Sequence, residues 1–433
     1  MPNGRRDRSP IGHGSRSSTA PRCSPRPAWP VSRPPPVHTS DLAGLLALLP
    51  TGRGPVIALG DGVGALGCLA ENTETIGAVL SDYAANTGGV TLVLGWSPVA
   101  PQDVSAGAFA RIVTLMPGWG VRGLLPHPAT CAIPTSLAAI PGLLTGPLRP
   151  DVLITRMTHR GGAVHFCTEV SWQQALVDAG VPVWAVLDDA APAASAESGL
   201  PLDAVSVVGR AGDMPARVAP RAPEPLHEEL ADRVLALIPE GARVQYGPGQ
   251  LGTALLQRGR TPMAVDTGLL TDAVIDLERR GLLIGEPSAT YLFGDRALYD
   301  WADGRPILRG IGHSHDITRL SRGRPFFAVN TAIEIDPFGQ VNVEGVGDKI
   351  VGGIGGHPDY CAAARLHPHG LSIIAVGSGF GGRCTLVDTL SRPASTPAHD
   401  IEVIVTETGH ADLRTADWGQ RRALIEKLFD RSR

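Results

Sequence analysis

Four stretches of this sequence place reactive or anion-cradling residues at a useful spacing. The least ordinary is Gly352-Gly353-Ile354-Gly355-Gly356, followed by His357-Pro358-Asp359-Tyr360. Four glycines in five positions cost backbone entropy and supply no packing. They suit a bend where a substrate lies against the main chain and N–H groups face a carbonyl oxygen; a structural loop is the plainer alternative. Gly247-Pro248-Gly249-Gln250-Leu251 reads as an anion cradle, with glycines leading into a helix N-terminus, or as a bare turn. Glu334, in the apolar run Phe326–Asp336, is a half-buried carboxylate with the chemistry of an acid, base or nucleophile, or else the partner of an arginine. His313-Ser314-His315-Asp316 and His367-Pro368-His369 invite a metal, but both lie in Gly/Pro/Arg-rich sequence without an HExxH, so surface histidines and no metal are expected.

Gly62-x-Gly64-x-x-Gly67 spells a dinucleotide fingerprint after a strand, yet the next strand ends Leu94-Gly95-Trp96, without the acid that would hold a ribose. Close helix–strand packing is the preferred reading.

The elements that must position these residues alternate between apolar runs and helical stretches, the pattern of layered α/β folds. Strands are expected near Pro55–Leu59, Val90–Leu94, Asp151–Thr155, Val181–Leu187 and Asp203–Val208, with a helix at Ser171–Ala179. After a Pro- and Arg-rich linker, Gly209 to Pro225, a helix is expected at Leu226–Ile238. Strands follow near Ala242–Tyr246, Met263–Val265, Tyr291–Phe293, Phe326–Ile335, Ser372–Val376 and Ile401–Thr406, then a last helix from Asp417 to Phe429. Val56–Gly62 and Val244–Gly249 both read as strand, glycine turn and helix start. Two α/β domains, 41–222 and 223–433, are therefore expected with a cleft between them, a common place for a ligand.

Composition narrows the function. The 433 residues are 43% hydrophobic and 18% charged, enough for a real core. Only two lysines occur, Lys349 and Lys427, so lysine chemistry is nearly excluded. Residues 1–40 carry seven arginines against Asp7 and are rich in Pro and Ser; they read as a disordered tail of net charge +6. The body is then near −10, the wrong sign for nucleic acid. Six scattered cysteines without a CxxC pair suit reduced thiols in a cytoplasm, and no apolar run is long enough to span a bilayer.

From about Leu226 to Phe429 the ordered motifs resemble the acetyl-CoA hydrolase/transferase family, which includes 4-hydroxybutyrate and succinyl-CoA:acetate CoA-transferases. Val244-Gln245-Tyr246-Gly247-Pro248-Gly249 looks like its CoA-proximal glycine loop, and Thr271–Leu277 resembles its S-D-G-V-V-D-L helix. Ala328-Val329-Asn330-Thr331-Ala332-Ile333-Glu334-Ile335-Asp336 is similar to I-N-S-A-I-E-V-D-L. Gly353-Ile354-Gly355-Gly356-His357-Pro358-Asp359-Tyr360 resembles G-I-G-G-Q-x-D-F, and Val405–Arg414 resembles V-T-E-x-G-x-A-D-L-R. The first half matches only in architecture.

The resemblance implies two α/β domains of the CoA-transferase fold. It also implies a CoA thioester as substrate rather than a bound cofactor, a carboxylic acid as second substrate, and the option of a homo-oligomer. CoA would lie against Gly247, Pro248, Gly249, Gln250, Leu251, Gly355, Gly356 and Arg383. In the family a glutamate carboxylate attacks the acyl-CoA and the reaction runs through covalent intermediates. Here the sequence departs: aligned through Leu270-Thr271-Asp272, Asp266-Thr267-Gly268-Leu269 replaces H-T-E-M, and the nucleophile becomes Gly268. Phe380 falls about where the family has a lysine near CoA, with Arg383 close by. Glu334 matches a family glutamate other than the nucleophile. Three readings remain: a hydrolase or transferase whose carboxylate has moved to Asp266 or Glu334, a silent acyl-CoA-binding homologue, and an unrelated metal hydrolase. Asp266, two residues from Gly268, would share its face on an extended segment.

Overall fold

Runs such as Val183–Leu187 and Leu371–Ala375, buried at every position, form strands covered on both faces, as parallel sheets require. The computed structural model describes residues 40–430 apart from Thr51, Asn72, Thr73 and Gly381. The tail expected over 1–40 lies, except for Ser40, outside the described residues.

In the first half the strands are β1 (Val56–Leu59), β2 (Thr91–Leu94), β3 (Arg111–Thr114), β4 (Thr130–Ala132), β5 (Val152–Arg160), β6 (Ala163–Phe166), β7 (Val183–Leu187), β8 (Leu200–Pro201) and β9 (Ser206–Arg210). β4-β3-β2-β1-β5-β7-β9 pair in parallel, and the long β5 also pairs antiparallel with β6, which pairs antiparallel with β8. The second half builds a six-stranded sheet in the order Ala264–Val265, Arg243–Tyr246, Phe326–Asn330, Leu371–Ala375, Val403–Thr406 and Gly409–Asp412, all parallel but the last. The helix Pro225–Leu235 buries Leu230, Ala231 and Val234. The final helix, Trp418–Leu428, starts on an Asp417–Gln420 capping box. Among the described residues no helix is long and apolar enough to cross a membrane.

Two expectations need correction. The run Phe326–Ile335 is not one strand. It leaves the sheet at Asn330, and Glu334–Ile335 pairs instead with Val341–Asn342 across a turn that Asp336 caps through the N–H groups of Phe338 and Gln340. The two halves also open less alike than they read. Gly249 caps the helix Gln250–Arg258 directly, whereas β1 runs into a 3-10 turn, Gly62–Gly64, and the next helix begins only at Ile76.

Candidate functional site

Open α/β sheets bind ligands beyond the carboxyl ends of their strands. In the second sheet those ends are Tyr246, leading to Gly247-Pro248, and Asn330. Both border a cavity of about 370 Å³ that also touches Gly268 and the Gly352–Gly356 bend. The floor is the Gln245–Asn330 amide pair, which exchanges two hydrogen bonds of 3.2 and 3.1 Å. Trp96, Met116, Trp119 and Leu137 of the first half close the other side. Trp119 packs edge-on against Trp96 and Phe293, and Trp96 packs tilted against Phe293, so an aromatic wall joins the halves.

The glycine bend is explained by close approach. A Cβ on Gly118 would lie 2.5 Å from the Val351 carbonyl oxygen, and one on Gly353 3.0 Å from the Met116 sulfur. Leu137 N–H donates to the Gly355 carbonyl at 2.9 Å, and Ala138 N–H to Asp359 Oδ2 at 3.0 Å. The bend therefore docks the two halves and borders the cavity at once. The helix His357–Leu366 starts there, with the positive end of its dipole at the cavity rim.

Of the residues singled out from sequence, Gly247, Pro248, Gly355 and Gly356 meet Gly268 around this cavity. Gly249 and Gln250 line a neighbouring one of about 510 Å³ that shares Trp119 and Pro248 with it. Leu251 and Arg383 line a third, of about 660 Å³, that shares Thr331 and Val351.

Asp266 and Glu334 are not among the lining residues. Asp266 is 3% exposed, and its two oxygens take a bidentate pair from Arg319 at 2.7 and 2.9 Å with Arg243 at 3.4 Å. The alternation that would put it on the face of Gly268 fails because the chain bends at Gly268 between two short strands, Ala264–Val265 and Leu269–Leu270. Glu334 Oε2 accepts from Asn342 Nδ2 and from the N–H and hydroxyl of Ser391, which ties down a loop.

Two residues that sequence reasoning set aside stand at the centre. His315, read as a surface histidine, is 1% exposed, and Tyr360 is 3% exposed; both line the cavity, their rings 4.7 Å apart. The only signal in the sequence was the proximity of Tyr360 to the glycine run. Among the described residues no cluster of three His, Cys, Asp or Glu side chains is arranged for a metal.

The Gly62-x-Gly64-x-x-Gly67 motif sits where the strand order of the first sheet reverses, at β1 and β5, the usual place for a dinucleotide. Carboxylates occupy it instead. A Cβ on Gly62 or Gly64 would strike Glu169, and Glu169 Oε2 accepts from the Gly64 N–H at 3.1 Å. Beside it, Asp61 Oδ2 accepts from Tyr291 Oη at 2.8 Å and Ser171 Oγ at 3.2 Å. The Glu169 side chain fills the space against the Gly62 and Gly64 backbone that a pyrophosphate would need.

Burial pushes the Asp61 carboxyl up to about 7, against hydrogen bonds from Tyr291 and Ser171. Burial, with the Asp61 charge, pushes Glu169 to about 8. The native state thus holds protons that the unfolded chain has released. Stability is expected to fall as pH rises from the ordinary carboxylate range through 8, by about 1–3 kcal/mol for the coupled pair. Urea unfolding from pH 5 to 8.5 checks this, and Glu169→Gln should flatten the slope; an unchanged slope in that variant counts against the pair.

Residues 294–428 match the acetyl-CoA hydrolase/transferase C-terminal domain. A 4-hydroxybutyrate coenzyme A transferase of Clostridium kluyveri is 27% identical over 218 residues, 46% of this chain and 51% of the relative, so the match spans about half that protein's length. A succinyl-CoA:acetate/propanoyl-CoA:succinate CoA transferase of Fasciola hepatica is 24% identical over 76% of each chain. The crystal structure of RipA from Yersinia pestis superimposes with a TM-score of 0.78 at 18% identity, covering 90% of this chain and 93% of that one, a likeness of fold. Residues 294–428 thus carry the acetyl-CoA hydrolase/transferase C-terminal domain, and that segment supplies the glycine bend to the cavity that the Gly247-Pro248 turn also borders.

Proposed function

We propose that this chain acts on acyl-CoA thioesters, releasing CoA or moving it between carboxylic acids, with the thioester at Gly268. The observation that carries this reading is the gathering of Gly247-Pro248, Gly268, Gly355-Gly356 and the aromatic wall around one slot of about 370 Å³. A slender pantetheine arm suits that slot. Among the described residues the adjoining cavity at Thr331 and Val351 has Lys349 and Arg383 as its charged side chains and no acid, which suits the phosphates of CoA.

A second reading, an acyl-CoA-binding homologue without turnover, is favoured by one observation: among the described residues no Asp or Glu lines the central cavity. Titration with CoA is expected to quench tryptophan fluorescence saturably, since Trp96 and Trp119 face the ligand. Replacing Lys349 and Arg383 together by Ala should weaken binding about tenfold, the equivalent of ~1.4 kcal/mol. Acetyl-, propionyl-, butyryl- and succinyl-CoA are then assayed for thiol release. Release supports the first reading and binding without release the second; absence of both overturns the family of readings.

A further inference from the structure

Two residues that line the central cavity carry buried polar atoms for which the fold supplies no partner. Among the described residues neither His315 Nε2 nor Tyr360 Oη makes a hydrogen bond, although both atoms are buried and their residues border the cavity. Such atoms are costly unless a guest satisfies them. They flank Gly268: a Cβ there would lie 3.4 Å from Tyr360 Oη and 3.6 Å from His315 Nε2. The glycine bend closes the niche from another side, since a Cβ on Gly356 would come within 2.5 Å of His315 Nε2.

Resting on the thioester reading above, we propose that His315 is the general base of this chain, and that a water held between His315 Nε2 and Tyr360 Oη attacks the thioester directly. The tautomer follows from the neighbours. His315 Nδ1 lies 2.9 Å from Ser314 Oγ, whose hydroxyl donates to the Gly310 carbonyl at 3.2 Å. Ser314 Oγ therefore accepts the Nδ1 proton, and Nε2 presents a lone pair to the niche.

The charged groups around His315 are Arg319, which follows it in sequence, and Asp266, which holds that guanidinium; Tyr360 covers its ring from the helix His357–Leu366. Burial, and then Arg319, push the imidazole down to about 3, so it is a neutral acceptor throughout the working pH range. Negative charge developing on the thioester oxygen favours the imidazolium as it forms.

The step balances without a covalent enzyme intermediate. As the water oxygen bonds to the thioester carbon, His315 Nε2 takes one water proton. The tetrahedral oxyanion collapses, the C–S bond breaks, and the departing sulfur receives that proton from His315. The products are the carboxylic acid, which loses its own proton to solvent, and CoA thiol. Tyr360 positions the water.

The test uses the full chain and whichever of the four acyl-CoAs it hydrolyses fastest. His315→Gln is expected to lower kcat by about 10²-fold or more, with KM and CoA quenching little changed. Tyr360→Phe should cost about tenfold. The intact mass of wild-type protein, quenched during turnover, should show no acyl or CoA adduct. A His315→Gln rate within threefold of wild type, or an accumulating adduct, overturns the proposal. If His315→Gln no longer binds CoA, the adduct mass and Tyr360→Phe decide: an adduct, or an undiminished Tyr360→Phe rate, refutes it. Failure of wild type to release thiol refutes the hydrolytic reading itself and is visible in the control arm.

Discussion

Asp266→Ala is expected to destabilise the protein by about 3–5 kcal/mol, the range for removing one partner of a buried ion pair. The carboxylate is 3% exposed and satisfies two guanidinium groups, Arg319 through a bidentate pair and Arg243 more loosely. Arg243 also donates to the Arg322 carbonyl at 3.0 Å, so the cluster joins the strand Arg243–Tyr246 to the loop before Phe326. Without Asp266, two partly buried cations face each other. Equilibrium urea unfolding measures the loss. Arg319→Met in the same chain should recover part of it, because it removes the cation left unpaired. A variant of undiminished stability that loses only turnover would return Asp266 to a catalytic role.

This case also shows where the sequence was legible. Continuous apolar runs such as Val183–Leu187 and Phe326–Val329 mark parallel strands because the pattern is local, and each lies in its sheet. The glycine turns were legible for the same reason: Gly247-Pro248 and Gly355-Gly356 do border one cavity. Side-chain direction was not. The period-two rule places Asp266 with Gly268 only on a continuous strand, and the bend at Gly268 breaks the register. His315 sits in a segment whose composition reads as surface loop. It is buried by Tyr360 and by the backbone at Gly356, some forty residues further along the chain. The glycines near residue 62 were read as close helix–strand packing, but what packs on them is the Glu169 side chain, from more than a hundred residues away. Contacts of that range leave no local trace in composition or spacing.

Gly268→Glu is expected to raise CoA exchange between an acyl-CoA and a free carboxylic acid by at least about 10²-fold over wild type, while hydrolysis falls. The site accepts the first atom of the side chain. The Cβ position is 3.4 Å or more from every neighbour, and the Gly268 backbone lies outside the left-handed region that strains other residues. The carboxylate would enter the niche assigned above to water, within reach of the Tyr360 hydroxyl as donor. It would restore the attacking group that the family resemblance puts at this position, and a mass increase by one acyl or CoA unit should then appear on the protein. Arg319 is already held by Asp266, so burial should raise the new carboxyl's pKa and the exchange rate should climb with pH. Labelled acetate with unlabelled acetyl-CoA measures the exchange. If a folded, CoA-binding Gly268→Glu protein exchanges no faster than wild type, the missing carboxylate is not what separates this chain from a transferase. The difference would then lie in how the acid substrate is admitted beneath Trp96 and Trp119, whose rings line the same cavity.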